Sequence, residues 1–305
     1  MNTVKPTGPV TGRILRNEPC TARKKAAGFV HHIDIDVSGT PLAGNCRSGQ
    51  AFGVVAPGED ERGRSHKPRL YSLASPTQGE DGSGNVISTT VKRTVDEHWE
   101  TGKLFLGVAS NYLCDLEVGD EVQVCGPNGK RFLLPTEPEQ HDYLFFATGT
   151  GIAPFRGMVK ELLEANVDSR VTLVMGTPYA TDLLYHDMFK ELESKHENFS
   201  YLTAVSRGAQ EDGGIKPMYV QDRMAANADE LGDQLNSERN LIYICGIAGM
   251  EVGIFQQLAK QLSPEQVANY LTIDPEVADN IEGWERKMIP KKIHPTKRVM
   301  MEVYA

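Results

Sequence analysis

The residues with the clearest chemical potential lie between Tyr143 and Arg156, which read YLFFATGTGIAPFR. Tyr143 to Phe146 form a short apolar run with strand character, Ala147-Thr148-Gly149-Thr150-Gly151 interrupt it, and a helical pattern begins at Phe155. Glycines at 149 and 151 leave backbone N–H groups uncovered, and the following helix directs its partly positive N-terminus at the same spot. An anionic group can settle there. The spacing is not GxGxxG, and no lysine of the phosphate-loop kind follows. Taken alone, such a turn also serves as a plain joint between strand and helix.

Five other places carry reactive or ligand-binding groups. Arg69-Leu70-Tyr71-Ser72 sets a cation, an aromatic and a hydroxyl at the end of a strand-like run, which is also ordinary strand chemistry. Gly107-Val108-Ala109-Ser110 is a small-residue turn before a short helical pattern, a second place where N–H groups can meet a phosphate. Ser206 and Arg207 follow an apolar run, and Cys245-Gly246-Ile247 end another. A lone cysteine there reads most simply as a small buried hydrophobe. The chain closes with Glu302 and Tyr304 in MEVYA, otherwise an edge strand with a frayed tail.

The elements that must position these groups fall into two textures. From Gly12 to about Pro135, short alternating stretches (Phe29 to Val37, Ala51 to Val55, Val86 to Val91, Leu104 to Val108, Glu121 to Val124) are separated by turn residues, the mark of an antiparallel barrel or sandwich. From Tyr143 onward, apolar runs at 171–174, 201–204 and 241–245 alternate with helical patterns at 154–165, 188–195, 220–229 and 252–261, the order of a parallel sheet covered by helices. A boundary is expected at Pro135 to His141, giving domains 1–140 and 141–305. Residues 1–28 are left without a role and free to be flexible. At 305 residues the chain is long enough for two cores.

Composition narrows the function classes. Hydrophobic residues make up 40% and charged residues 24%, and no apolar run approaches membrane-spanning length, so a cytoplasmic chain is expected. The five cysteines (Cys20, Cys46, Cys114, Cys125, Cys245) are scattered without CxxC spacing, which indicates neither a disulfide framework nor a metal site. Redox chemistry would need a bound organic cofactor. A net charge of −9 argues against bulk nucleic-acid binding.

In order along the chain, GQAFGVVAPGEDERGRSHKPRLYSLAS (49–75), GVASNYLCDLEVGDEV (107–122), GPNGKRFLLP (126–135), ATGTGIAPFR (147–156), VSR (205–207), MYVQDRM (218–224), CGIAGMEVGI (245–254) and MEVYA resemble the plant-type ferredoxin–NADP reductases. The resemblance implies an antiparallel β-barrel domain that binds FAD, followed by a parallel-sheet α/β domain that binds NADP(H), with the nicotinamide meeting the flavin in the cleft between them. Carried over by position, Arg69, Leu70, Tyr71 and Ser72 hold the flavin, with Arg69 at the diphosphate. Thr90, Val91, Lys92, Val108, Ala109 and Ser110 complete that surface, and Lys92 is also a candidate for the nicotinamide nucleotide. Gly149 and Gly151 face the NADP diphosphate, Thr150 lies near the flavin and nicotinamide, and Thr177 and Pro178 occupy a matching cofactor-binding loop. Ser206 and Arg207 suit the 2′-phosphate, Tyr219 the adenine, with Gln221 beside it. Gly246 and Ile247 line the nicotinamide pocket with Cys245. Ser72, Cys245, Glu302 and Tyr304 are the implied catalytic set, Tyr304 covering the flavin face that nicotinamide must occupy.

Three departures from the family pattern stand out. The adenine-stacking tyrosine is absent from Thr94 to Trp99, leaving Trp99, His98 or a solvent-facing hairpin. Pro217 precedes Met218-Tyr219 where a basic residue is common, with Lys216 the candidate replacement, and Ala305 extends beyond the terminal tyrosine. The activity implied is electron exchange between NADP(H) and ferredoxin or flavodoxin, with NADPH preferred over NADH. Arg62, Arg64 and Lys67 cluster before the flavin-binding strand, and Arg64 and Lys67 are the expected contacts with an acidic partner. Lys291, Lys292, Lys297 and Arg298 form a second basic group, and Arg23-Lys24-Lys25 either touch a partner or face water. The flavin reductase component of an oxygenase system is the nearest rival activity. A non-catalytic nucleotide-binding module is the remaining reading, against which Ser72, Cys245 and Glu302 stand together.

Overall fold

A computed structural model describes residues 6–304 apart from 24, 27 and 166, so Lys24 and Ala305 lie outside the described residues. The chain divides into two compact units: Met1–Thr136 with Ala153–Glu164, and Glu137–Ile152 with Ala165–Ala305.

In the first unit, β1 (Thr7–Pro19), β2 (Val30–Asp36), β3 (Ala51–Val55), β4 (Arg69–Ser72), β5 (Val86–Lys92) and, after a short hairpin and a helix, β8 (Glu121–Asn128) form one antiparallel sheet in the order β4-β3-β8-β1-β2-β5. Its two edges nearly meet. Leu73 bridges to Thr89, Ala74 N–H donates to the Ser88 carbonyl at 2.8 Å, and the Thr89 hydroxyl donates to the Ser72 carbonyl at 2.8 Å. Closure of this kind leaves little edge for other chains to pair with. Ile14, Ile33, Ile35, Phe52, Val54, Leu73, Ile87, Val91, Val122 and Val124 fill the inside.

Two sequence expectations change here. Residues 1–28, which the sequence leaves without a role, include β1, and this strand lies between β8 and β2 in the sheet. Gly12 shows why its pattern is weak: a Cβ there would lie 2.6 Å from Ile35 Cγ2, so the strand needs a missing side chain where a core residue would be read. The run 104–108, expected as a barrel strand, instead supplies β7 (Leu104–Leu106), which pairs only with β6 (Val95–Glu97) in a separate ribbon with Trp99 exposed in its turn. The helix α1 (Val108–Asp115) follows directly.

The helix α2 (Ile152–Glu164) comes after the glycine turn in sequence but packs, from Ala153, within the first unit. Polar side chains hold it there. Arg156 is paired with Glu80 and donates to the Ala74 carbonyl at 2.9 Å, Lys160 reaches Glu80 at 3.3 Å, and Glu161 accepts from Ser48 Oγ at 2.7 Å and Thr77 N–H at 3.0 Å. His32 and Asp34, 2.7 Å apart, lie on the face of β2 opposite Ile33 and Ile35 and bring ligand atoms within 4.8 Å of Glu80. With Arg156 and Lys160 already on Glu80, this cluster reads as a buried ion-pair network.

The second unit is a five-stranded parallel sheet: β9 (Asp142–Thr148), β10 (Val171–Thr177), β11 (Phe199–Val205), β12 (Asn240–Ile247) and β15 (Val299–Tyr304), in the order β11-β10-β9-β12-β15. A two-stranded ribbon, β13 (Leu271–Ile273) with β14 (Ile293–Pro295), stands apart. Helices α3 (His186–Lys195), α4 (Arg223–Ala226), α5 (Ala228–Asn236) and α6 (Met250–Gln261) alternate with the strands. The single helix expected over 220–229 is divided at Asn227, whose φ of −114° and ψ of 42° leave the helical region. Leu144, Phe146, Ile242 and Ile244 face a core with Leu231, Leu235, Ile254 and Phe255, while Tyr143, Phe145 and Tyr243 pack together on the other face. Strand order reverses between β9 and β12, the switch point at which open α/β sheets bind ligands beyond their strand ends.

Candidate functional site

The switch point is built from backbone. Gly149 to Gly151 form one tight turn between β9 and α2, and Gly149 has φ +52°. A Cβ on Gly151 would lie 2.2 Å from the Cys245 carbonyl oxygen and 2.6 Å from Gly246 Cα, and one on Gly246 would lie 2.1 Å from Thr148 Oγ1. The ends of β9 and β12 therefore approach as only two glycines allow. Thr148, which sequence reasoning did not single out as a site residue, holds this contact: its hydroxyl oxygen accepts from Ile247 N–H at 2.9 Å. A hydroxyl at a strand end beside a glycine turn was the available signal.

Beside the glycines, β12 and β15 bring together three implied catalytic residues that are far apart in sequence. Cys245 pairs with Glu302 and Ile247 with Tyr304, so all four side chains share one face of the sheet at its C-terminal edge. The Tyr304 hydroxyl and Thr150 Oγ1 are 2.9 Å apart, tying the last strand to the glycine turn. Burial raises the Glu302 carboxyl to about 7. Burial, with the Glu302 charge second, holds the Cys245 thiol well above its ordinary range, which favours the neutral thiol over the thiolate. None of the five cysteines forms a disulfide among the described residues.

The remaining second-unit candidates lie around the same edge. Thr177 ends β10 and Pro178 follows it; Ser206 N–H donates to the Thr177 carbonyl at 3.0 Å and Arg207 N–H to the Pro178 carbonyl at 2.9 Å. Arg207 lies exposed over the Tyr179 ring, 6.0 Å from its centroid. Lys216 and Tyr219 are exposed, and the Gln221 side chain lies 3.0 Å from the point where a Cβ on Gly253 would stand.

The first-unit candidates form a second group. Leu70 and Arg69 are exposed on β4, and Arg69 makes no ion pair or side-chain hydrogen bond among the described residues. Tyr71 packs against the barrel core, where burial raises its phenol to about 12 despite the Arg69 charge. On β5, Thr90 is buried, the Val91 side chain is wholly in the core, leaving only its backbone to face a ligand, and Lys92 is exposed. At α1, Val108 is exposed and Ala109 half-buried, while the Ser110 hydroxyl is engaged locally, donating to the Gly107 carbonyl and accepting from Thr94 N–H, both at 3.2 Å. Gly107 offers no side-chain cap, so the first-turn N–H groups of α1 have no partner from that residue or within the helix. Of the two expected partner contacts, Arg64 is held by Asp60 at 2.7 Å and Lys67 is exposed with no ion pair among the described residues. No helix among the described residues is long and apolar enough to cross a membrane.

Comparison with known proteins agrees with this geometry. A family model described as an oxidoreductase NAD-binding domain matches residues 145–255. The chain is 40% identical over 260 residues to the ferredoxin–NADP reductase of Spirulina sp, covering 83% of this chain and 87% of that one. It is 40% identical over 261 residues to the chloroplastic leaf isozyme 1 of ferredoxin–NADP reductase from Arabidopsis thaliana, covering 83% and 70%. The fold is similar to that of the ferredoxin–NADP+ reductase from Plasmodium falciparum, with a TM-score of 0.70 at 21% identity over 97% of this chain and 96% of the other. On the strength of the first of these likenesses, extending over most of both sequences, the chain belongs to the ferredoxin–NADP reductase family.

Proposed function

We propose that this protein is a ferredoxin–NADP reductase that exchanges electrons between NADP(H) and ferredoxin, with FAD held by the first unit and NADP(H) by the second. A bound flavin takes up two electrons with a hydride and passes electrons on singly, which suits it to stand between a nicotinamide and an iron–sulfur protein. The single observation that carries the assignment of the nucleotide is the pair of abutting glycines, Gly151 and Gly246, at the sheet's switch point beside Cys245, Glu302 and Tyr304.

The residues present fit both groups. For FAD, the exposed guanidinium of Arg69 supplies rigid donors to a diphosphate, the uncapped first turn of α1 supplies N–H groups, and Tyr71 offers a ring fixed by the core behind it. Ser72 stands at the end of the same strand, its hydroxyl the proposed donor to the flavin edge. For NADP(H), the turn 149–151 receives the diphosphate, Ser206, Arg207 and Lys216 receive the 2′-phosphate, and Tyr219 stacks on the adenine. Cys245 excludes water and shapes the pocket as a neutral thiol. Glu302 stores or releases a proton near neutral pH, and Tyr304, positioned by Thr150, limits how deeply nicotinamide stacks. Lys67 is the stronger candidate contact for an acidic ferredoxin, because Arg64 already has Asp60 as a partner.

The test is an absorbance spectrum of the purified protein, anaerobic titration with NADPH, and then ferredoxin-dependent reduction of cytochrome c. Flavin bands bleached by NADPH and turnover that requires ferredoxin are expected. A colourless protein that cannot be loaded with FAD sinks the assignment. Flavin reduction without electron transfer to any ferredoxin would favour the oxygenase-reductase reading.

A further inference from the structure

The loop after β11 is held from inside by one buried amide. Gln210 is 4% exposed. Its Oε1 accepts from Val205 N–H at 2.8 Å, and its Nε2 donates to the Val205 carbonyl and to the Lys216 carbonyl, each at 2.8 Å. Around it the backbone closes a turn, with Gln210 N–H donating to the Gly214 carbonyl at 2.6 Å. Val205 immediately precedes Ser206 and Arg207, so this side chain ties the start of the loop to the backbone of Lys216, where it ends. Asp212, farther along the loop, is anchored by Arg223 at 2.5 Å. Arg223 is itself 3% exposed and donates to the Thr203 carbonyl at 2.7 Å, so its charge is spent inside the unit.

We propose that Gln210 is the positioning residue for cofactor selection: it holds Arg207 and Lys216 in the register that meets a 2′-phosphate, and so sets the preference for NADPH over NADH. The inference rests on the reading that Ser206, Arg207 and Lys216 bind that phosphate. An amide is the required group, because the site presents one N–H and two carbonyl oxygens to it. A carboxylate of the same shape would face both carbonyls with no donor, and a methyl group would leave all three backbone groups without their partner. NADH carries only a hydroxyl at the 2′ position, so the register of the two cations does not matter to it.

The experiment compares Gln210→Ala, Gln210→Glu and Arg207→Ala in the flavin-loaded protein. Calorimetry measures adenosine 2′,5′-bisphosphate against adenosine 5′-monophosphate, and steady-state rates are taken with NADPH and NADH. With both Gln210 variants, affinity for the bisphosphate and kcat/KM for NADPH should fall about tenfold or more through KM, as loss of a charge-assisted contact implies, while the monophosphate and NADH values stay as in the wild type. Equal losses with both nucleotides would reduce Gln210 to a general structural residue and overturn the proposal, as would no loss at all. If Arg207→Ala retains the full phosphate preference, the reading of the phosphate site itself fails. If Arg207→Ala loses the preference and the Gln210 variants keep it, only the role of Gln210 is refuted.

Discussion

Gly151→Ala probes the switch point most directly. The new methyl carbon would sit 2.2 Å from the Cys245 carbonyl oxygen and 2.5 Å from its carbonyl carbon, both backbone atoms of β12 that cannot rotate away. Ordinary contact begins at 3.4 Å. The turn must therefore retreat by roughly 1 Å, because such overlap cannot be held against steep repulsion. Overpacking of this kind costs about 1–3 kcal/mol of stability, and a 1 Å displacement of a positioning element costs about 100-fold in rate. The assay is anaerobic stopped-flow reduction of bound flavin by NADPH, with flavin content measured in parallel. We expect kcat/KM to fall about 100-fold while flavin content is kept, since the substitution lies in the second unit. Gly232→Ala is the control: a Cβ there meets nothing within 4 Å, and in the interior of α5 alanine should stabilise by up to about 1 kcal/mol. Wild-type kcat/KM in Gly151→Ala would refute the close approach of β9 and β12.

Removing Tyr304 and Ala305 deletes the hydroxyl that meets Thr150 and should tighten NADP+ binding while slowing turnover; unchanged affinity and rate in the truncated enzyme would eliminate a lid role. Burial raises the Glu302 carboxyl to about 7 from its ordinary 4.5, so the native state holds this proton more tightly than the unfolded chain. Its stabilising influence is full below pH 4.5 and is lost as pH rises through about 7, at about 1.4 kcal/mol per pH unit. Denaturant titrations across that window should show this slope in the wild type and not in Glu302→Gln. Glu80 has the opposite sign. Burial pushes its carboxyl up, but the Arg156 hydrogen bond and charge, Lys160 and the Ser88 hydroxyl outweigh burial and hold it at about 2. Glu80→Gln should therefore cost about 3 kcal/mol at neutral pH, a difference that narrows as pH falls from 4.5 towards 2; equal melting temperatures of variant and wild type at pH 7 would contradict the ion pair.

Much of this molecule is legible along the chain because its signals are local. Alternation at 29–37, 51–55 and 86–91, apolar runs at 143–146 and 171–174, and the glycine turn between strand and helix each show within a few residues which element forms and where backbone is exposed. β1 escaped because its inward positions include Gly12, a residue without a hydrophobic signature, and the 104–108 run misled because apolar alternation does not say whether a strand joins the barrel or a side ribbon. Three features belong to the folded state alone. The pairing of Cys245 with Glu302 across β12 and β15, the 2.9 Å contact of Thr150 with Tyr304, and the docking of α2 in the first unit through Arg156 and Glu80 each join residues distant in sequence. Periodicity within a segment specifies the face that must be buried, and only the packed chain specifies what buries it.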